Sequence, residues 1–132
     1  MRAHAIALAA LLLLTACGAS APGVAPGAAL PRNEGGNADR GGIHVRNAYV
    51  RGGALHAILI NSGPAADRLE QVGAEAGNVG LNAPVELPPG ALVGTDRPLG
   101  TATGLGAGTG SWARVGFRFR EAGILSVELP MR

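Results

Sequence analysis

The chain of 132 residues contains no lysine, so all 11 of its basic residues are arginine, set against nine acidic residues. Once Arg2 is left out, the remaining part carries a formal charge of about +1. Proteins that bind nucleic acid need clustered positive charge, and no such cluster is present. The composition therefore argues against nucleic acid as a partner.

Cysteine, methionine and aromatic residues are also scarce. One cysteine excludes a disulfide within the chain, and there are two methionines, two phenylalanines, one tryptophan and one tyrosine. Because these large side chains are few, the core must be built from valine, leucine, isoleucine and alanine. A domain of this size without a covalent staple depends on that core alone and is expected to have modest stability.

The one long apolar run, Ala3–Leu14, is broken only by His4. It is shorter than the roughly 20 residues that span a bilayer, and its length is typical of a secretory signal peptide. It ends in Leu14-Thr15-Ala16-Cys17, which resembles a bacterial lipobox. The resemblance implies diacylglycerol transfer to the Cys17 thiol, cleavage before it and acylation of the new amino group. The alternative is an ordinary signal peptide with an incidental cysteine.

These observations predict a lipoprotein signal peptide at 1–16 and lipidation of Cys17. Two or three acyl chains, palmitate among them, would hold the protein on the extracytoplasmic face of the cell membrane. The next segment is rich in glycine, alanine, serine, proline and asparagine. Such a composition buries too little apolar surface to order itself, so 17–42 is predicted to be a flexible tether.

A folded domain is predicted at 43–132, where short apolar or alternating runs are separated by turn signals. The region 97–111 shows no period and is expected to be a loop, and no helix is convincing. Many short strands of this kind are typical of an all-β sandwich or barrel. The predicted strands are Ile43–Val50, Ala54–Ile60, Arg68–Val72, Gly77–Leu81, Pro84–Leu87, Ala91–Val93, Trp112–Phe119 and Ile124–Leu129.

Two segments are the most specific. Asn61–Leu69 reads Asn-Ser-Gly-Pro-Ala-Ala-Asp-Arg-Leu, and Phe117–Gly123 reads Phe-Arg-Phe-Arg-Glu-Ala-Gly. With Arg46–Arg51 and Leu87–Gly90 they resemble the PCu(A)C-type periplasmic copper chaperone family, most closely the actinobacterial LpqE-type lipoproteins. The resemblance implies a cupredoxin-like Greek-key β-sandwich over most of residues 43–130.

The family binds Cu(I) through a His-Met pair, a later methionine and a His-x-Met, which are soft ligands suited to that ion. Neither Gly77–Leu81 nor Val93–Gly106 contains histidine or methionine, so no metal ligand and no cofactor is assigned. His44 and His56 on neighbouring strands, with Met131, could bind copper weakly. The favoured interpretation is that both histidines are solvent-facing strand residues. A blue-copper site is excluded because it needs a cysteine within the domain.

Other chemistry is not evident. No nucleophile–base pair is apparent around Ser62, Ser111 or Ser126, and Asp67 is expected to cap a turn or form an ion pair. The glycines of 104–108 lack the βαβ setting of a phosphate-binding loop. Trp112 could anchor a partner or pack in the core, and packing is favoured.

The sequence therefore predicts a non-enzymatic, membrane-anchored binding or accessory module of the cell envelope, with an envelope protein as a possible partner. The alternative is a copper chaperone-like protein that handles copper outside the cytoplasmic membrane. A hydrolase or transferase with an unrecognised site is the third and least favoured hypothesis.

Overall fold

Alternating apolar and polar side chains form ten strands in a computed structural model of the chain, which describes residues 35–105 and 110–132. All of these residues lie in the unit Pro31–Arg132. No helix occurs among them, and therefore none that could cross a membrane. The strands are β1 (Gly36–Arg40), β2 (Ile43–Arg51), β3 (Ala54–Asn61), β4 (Asp67–Ala74), β5 (Asn78–Leu81), β6 (Val85–Leu87), β7 (Leu92–Val93), β8 (Gly100–Thr103), β9 (Trp112–Phe119) and β10 (Gly123–Pro130).

The strands form two antiparallel sheets. Sheet A has the order β1-β2-β3-β8-β5. Strand β8 pairs with the N-terminal end of β3, and β7 pairs with its C-terminal end, at Leu59 and Ile60. Sheet B has the order β10-β9-β4-β6. The inward residues of both sheets form one apolar core, which includes Val45, Leu55, Leu59, Leu69, Leu87, Val115, Phe117, Phe119, Val127 and Leu129. The predicted all-β sandwich is confirmed.

Strand β9 shows how the sequence pattern sets the two faces. Val115, Phe117 and Phe119 are buried, whereas Trp112 and the arginines between them point outward. The β9–β10 hairpin closes where Gly123 adopts φ 83°, a left-handed conformation that glycine accepts at little cost. The predicted alternation of this hairpin is confirmed.

Two strands lie where the sequence indicated none. Strand β1 occupies Gly36–Arg40, inside the segment predicted to be tether, so order begins before Ile43. Its own side chains bury little, but its backbone pairs with β2, and Gly36 lies against the Glu128 carbonyl, where a side chain would not fit. Order in this segment therefore comes from backbone pairing with β2 and from close approach to Glu128, rather than from apolar side chains of its own.

Strand β8, Gly100–Thr103, lies in the region expected to be a loop. Within this strand, only the side chain of Ala102 packs in the core. The strand therefore has almost no apolar sequence pattern of its own. Its order comes from pairing with β5 along four residues and with β3 at Leu55 and Ala54. The predicted signal peptide at 1–16 and the predicted lipidation site Cys17 lie outside the described residues.

Candidate functional site

The two histidines of the domain lie at opposite ends of the β2–β3 pair. His44 is opposite Ile60, whereas His56 is opposite Tyr49. Four residues of β3 separate these positions, or about 13 Å along a strand. The register therefore keeps the two imidazoles from sharing one metal ion. Both histidines are strand residues on the outer face of sheet A, as expected, but both are half-buried rather than fully solvent-facing.

His56 belongs to a stack of side chains on the outer face of sheet A. Its ring lies 4.7 Å from the Tyr49 ring, centroid to centroid, at an interplanar angle of 12°. The Arg132 guanidinium carbon lies 4.5 Å from the Tyr49 centroid, a cation–π contact. Burial lowers the pKa of His56, and the nearby charge of Arg51 lowers it further, so this site favours the neutral imidazole.

A small polar cavity of about 190 Å³ lies beside His56. Its wall also includes Asn47, Asp96 and Arg97. Within the two described ranges, no group of three or more histidine, cysteine, aspartate or glutamate residues could hold a metal ion. The cavity is thus polar but does not contain a metal-ligand cluster of that kind.

Met131 is a third candidate donor, and its surroundings are apolar. It is partly buried and packs against the core, while its backbone N–H donates to the Ser111 carbonyl at 2.8 Å. It also forms a single bridge with Val50. The three candidate donors of the domain therefore lie in three different environments.

Strands β5 and β8 pair where the family resemblance places the copper ligands. Asn78 is opposite Thr103, and Gly80 is opposite Thr101. The strands approach so closely that a Cβ on Gly100 would lie 1.9 Å from the Gly80 carbonyl oxygen. The polar groups of these two strands are the Asn78 amide, the threonine hydroxyls and the backbone. Neither strand contains histidine or methionine.

A network of polar side chains surrounds His44 on the outer face of sheet A. His44 Nδ1 lies 2.5 Å from Asp39 Oδ1, and His44 Nε2 lies 2.9 Å from Ser62 Oγ. Arg46 Nη2 contacts the same Asp39 oxygen at 2.6 Å. The sequence pattern did not indicate a partner for Ser62, whereas the structure brings His44 Nε2 within hydrogen-bond distance of its hydroxyl.

The carboxyl group of Asp39 is ionised in this network. Partial burial raises its pKa, but the hydrogen bonds from His44 and Arg46 outweigh burial, so the pKa lies below its usual value. Sequence reasoning missed the network because it placed Asp39 in the tether. The two glycines of Arg40-Gly41-Gly42-Ile43 were the available signal, since a two-residue glycine loop predicts a hairpin that sets Asp39 opposite His44.

Two other buried polar residues hold loops in place. Asn61 Nδ2 donates to the carbonyls of Ala65 at 2.9 Å and Leu87 at 2.8 Å. Asp67 accepts the backbone N–H groups of Arg68, Glu121 and Ala122 at 2.7, 2.8 and 3.0 Å. The expectation that Asp67 caps a turn is confirmed.

The expectation that Trp112 packs in the core is wrong. Its side chain is 60% exposed on the outer face of sheet B. In the glycine-rich stretch, Leu105 packs in the core, whereas 106–109 lie outside the described residues. The first position of β9 thus presents an aromatic surface rather than a core contact.

The fold has close counterparts among solved structures. The copper-bound PCuAC domain from PmoF2 matches with a TM-score of 0.61 and 19% identity, covering 73% of this chain and 97% of that domain. The apo PmoF2 PCuAC domain gives 0.59 and 18%, covering 73% and 94%, and the apo PCuAC domain from PmoF1 gives 0.58 and 21%, covering 73% and 98%. No family model and no curated protein matches the chain. The described domain therefore has the β-sandwich fold of the PCuAC domains.

Proposed function

We propose that this protein is a copper chaperone-like, non-enzymatic module that works outside the cytoplasmic membrane. The observation that supports this most is its match to the copper-bound PCuAC domain from PmoF2 over 97% of that domain. The lipobox-like Leu14–Cys17 segment supports a place at the extracytoplasmic face of the cell membrane.

Copper would be the cargo of such a module, and the donors in the described ranges do not fit it as a ready ligand set. Cu(I) selects thioether, thiolate and imidazole ligands. His44 is hydrogen-bonded through both ring nitrogens, His56 is stacked on Tyr49, and Met131 packs against the core. The proposal therefore rests on the fold, and no ligand set or transfer step is derived from these residues.

A competition titration tests the proposal. The full chain with Cys17→Ser is titrated with Cu(I) in the presence of bicinchoninate, because a free thiol would otherwise bind the ion. We expect about one equivalent of Cu(I) to be withheld from the chelator, with the PmoF2 PCuAC domain titrated alongside as a positive control. If the chelator retains all of the Cu(I) in the presence of this chain, direct copper carriage is wrong.

The separation of the three donors favours a second candidate, an accessory module that binds an envelope protein. The exposed aromatic surface of Trp112 agrees with such a role, since tryptophan is enriched where protein partners meet. Chemical cross-linking in detergent-solubilised envelope, with Trp112→Ala as the matched variant, tests this candidate. Recovery of one dominant partner by wild type and its loss in the variant would support it; equal recovery by both would contradict this use of Trp112.

A further inference from the structure

Three side chains lie in a line across the outer face of sheet A, on three adjacent segments. Asp39 in β1 is directly opposite His44 in β2. Ser62 directly follows β3, two residues beyond the Ile60 that lies opposite His44. The antiparallel register thus places a carboxylate, an imidazole and a hydroxyl side by side, although 18 residues separate His44 from Ser62.

The distances are those of a nucleophile, a base and a group that orients the base. Asp39 is ionised and accepts a hydrogen bond, so His44 Nδ1 carries a proton. In the neutral ring, Nε2 is then the acceptor, and it lies 2.9 Å from Ser62 Oγ. The Gly42 carbonyl is a second acceptor for this hydroxyl but lies farther away, at 3.3 Å. Arg46 fixes Asp39 from the other side.

Ser62 is also accessible. It is exposed, and its Oγ lies on the outer face of sheet A together with the His44 ring. A small acyl group can therefore reach the hydroxyl from solvent.

The nearest backbone donors are already used. The Ser62 N–H donates to the Gly42 carbonyl, and the Gly63 N–H donates to Asn61 Oδ1 at 3.0 Å. These two groups do not form a ready oxyanion hole, and one such donor is worth about 10²–10³ in rate. Only a reagent with a good leaving group would react, and hydrolysis of the acyl-serine would be slow.

From this geometry we propose that Ser62 is a serine nucleophile, activated by His44, that accepts an acyl group from activated carboxylic esters. Ser62 Oγ forms a bond to the acyl carbon while its proton moves to His44 Nε2. The bond from the acyl carbon to the leaving oxygen then breaks, and the leaving oxygen takes that proton from His44, so an alcohol is released and the imidazole is neutral again. Water can later attack the acyl carbon as it gives a proton to His44; the bond from the acyl carbon to Ser62 Oγ then breaks, the carboxylic acid is released, and Ser62 Oγ takes the proton from His44. The chain thus acts as an acyl acceptor rather than a rapid catalyst.

The probe is p-nitrophenyl acetate, used on the full chain with Cys17→Ser so that no thiol competes. The absence of lysine removes side-chain amines as competing sites. Peptide mass mapping over time gives the acetylation rate at each serine. We expect Ser62 to be acetylated at least about tenfold faster than Ser126, an exposed serine on the outer face of sheet B, since a positioned base contributes about 10²–10⁴.

Two variants test the mechanism. His44→Gln should lower acetylation of Ser62 at least about tenfold and leave Ser126 unchanged, whereas His56→Gln, the matched control, should change neither. Equal rates at Ser62 and Ser126 in the unsubstituted domain would overturn the proposal, and this comparison stands even if His44→Gln does not fold. An unchanged Ser62 rate in folded His44→Gln would also overturn it and leave the network with a structural role only. Neither result depends on copper binding.

Discussion

At the scale of single residues, two polar side chains of the Asn61–Leu69 segment hold the fold together. Asn61 and Asp67 are both almost fully buried, and their side chains form hydrogen bonds with the backbone of neighbouring loops. An unpaired buried polar group costs about 1–3 kcal/mol, so such residues must keep their partners. Asn-x-Gly-x-x-x-Asp-Arg-Leu can therefore identify the sandwich without reporting on its ligands.

Asp39 makes folding stability depend on pH in the acidic range. Its pKa is lower in the folded chain than in the unfolded chain, so it contributes stability above the unfolded value, about 3.9, and this is lost as the pH falls through the folded value. The carboxyl is half exposed and screened by solvent, so we expect at most about 1 kcal/mol. Asp39→Asn should remove this pH-dependent term, measured by urea denaturation at several pH values between 7 and 2.

The control for this prediction is Asp96→Asn, in an exposed loop. It should follow the wild-type curve as the pH falls. If Asp39→Asn loses as much free energy of unfolding between pH 6 and pH 2 as wild type does, the hydrogen bonds to His44 and Arg46 do not lower the pKa of Asp39 in solution.

At the scale of strands, sequence pattern predicts those elements that bury their own side chains. Strands β2, β3, β9 and β10 have clear alternation or continuous apolar character, and they form where expected. Strands β1 and β8 have little apolar character, so sequence pattern does not predict them. Backbone pairing with neighbouring strands orders them instead. The Asp39–His44–Ser62 network depends on β1, so a missed strand also hid the site.

Close approach of β8 and β5 gives a prediction for glycine. A methyl group on Gly100 would lie 1.9 Å from the Gly80 carbonyl oxygen, so Gly100→Ala should force the strands apart and lower the free energy of unfolding by about 1–3 kcal/mol. Urea denaturation followed by far-UV circular dichroism measures this loss. The matched variant Gly80→Ala has open space around its Cβ and should change the stability by roughly 0.5 kcal/mol or less. Equal effects of the two variants would contradict the close pairing.

At the scale of the whole molecule, the fold could be predicted from the sequence, whereas the ligand could not. The sandwich was predictable from turn signals and strand pattern, and the solved PCuAC domains share it. The ligand was not predictable, because His44, His56 and Met131 are dispersed by the register and serve other contacts. Similarity at 18–21% identity shows the shared fold and leaves any ligand of this chain to be tested.

The N-terminal sequence predicts attachment of the protein to the membrane. Cys17→Ser removes the only thiol that could receive diacylglycerol, so it should abolish incorporation of labelled palmitate and move the protein from the membrane fraction to the soluble fraction. Ser20→Ala, close by in the sequence, is the control and should behave as wild type. Membrane fractionation of Cys17→Ser together with absence of label in wild type would mean that Leu14–Cys17 is not a lipobox.

The outward position of Trp112 also determines what fluorescence can report. It is the only tryptophan of the chain, and its indole is largely solvated in the folded state. Its emission should therefore change little when the protein unfolds, which makes it a poor monitor of stability. A protein or vesicle that covered the start of β9 would instead shift the emission to shorter wavelength, so Trp112 fluorescence can report contact on that face without an added label.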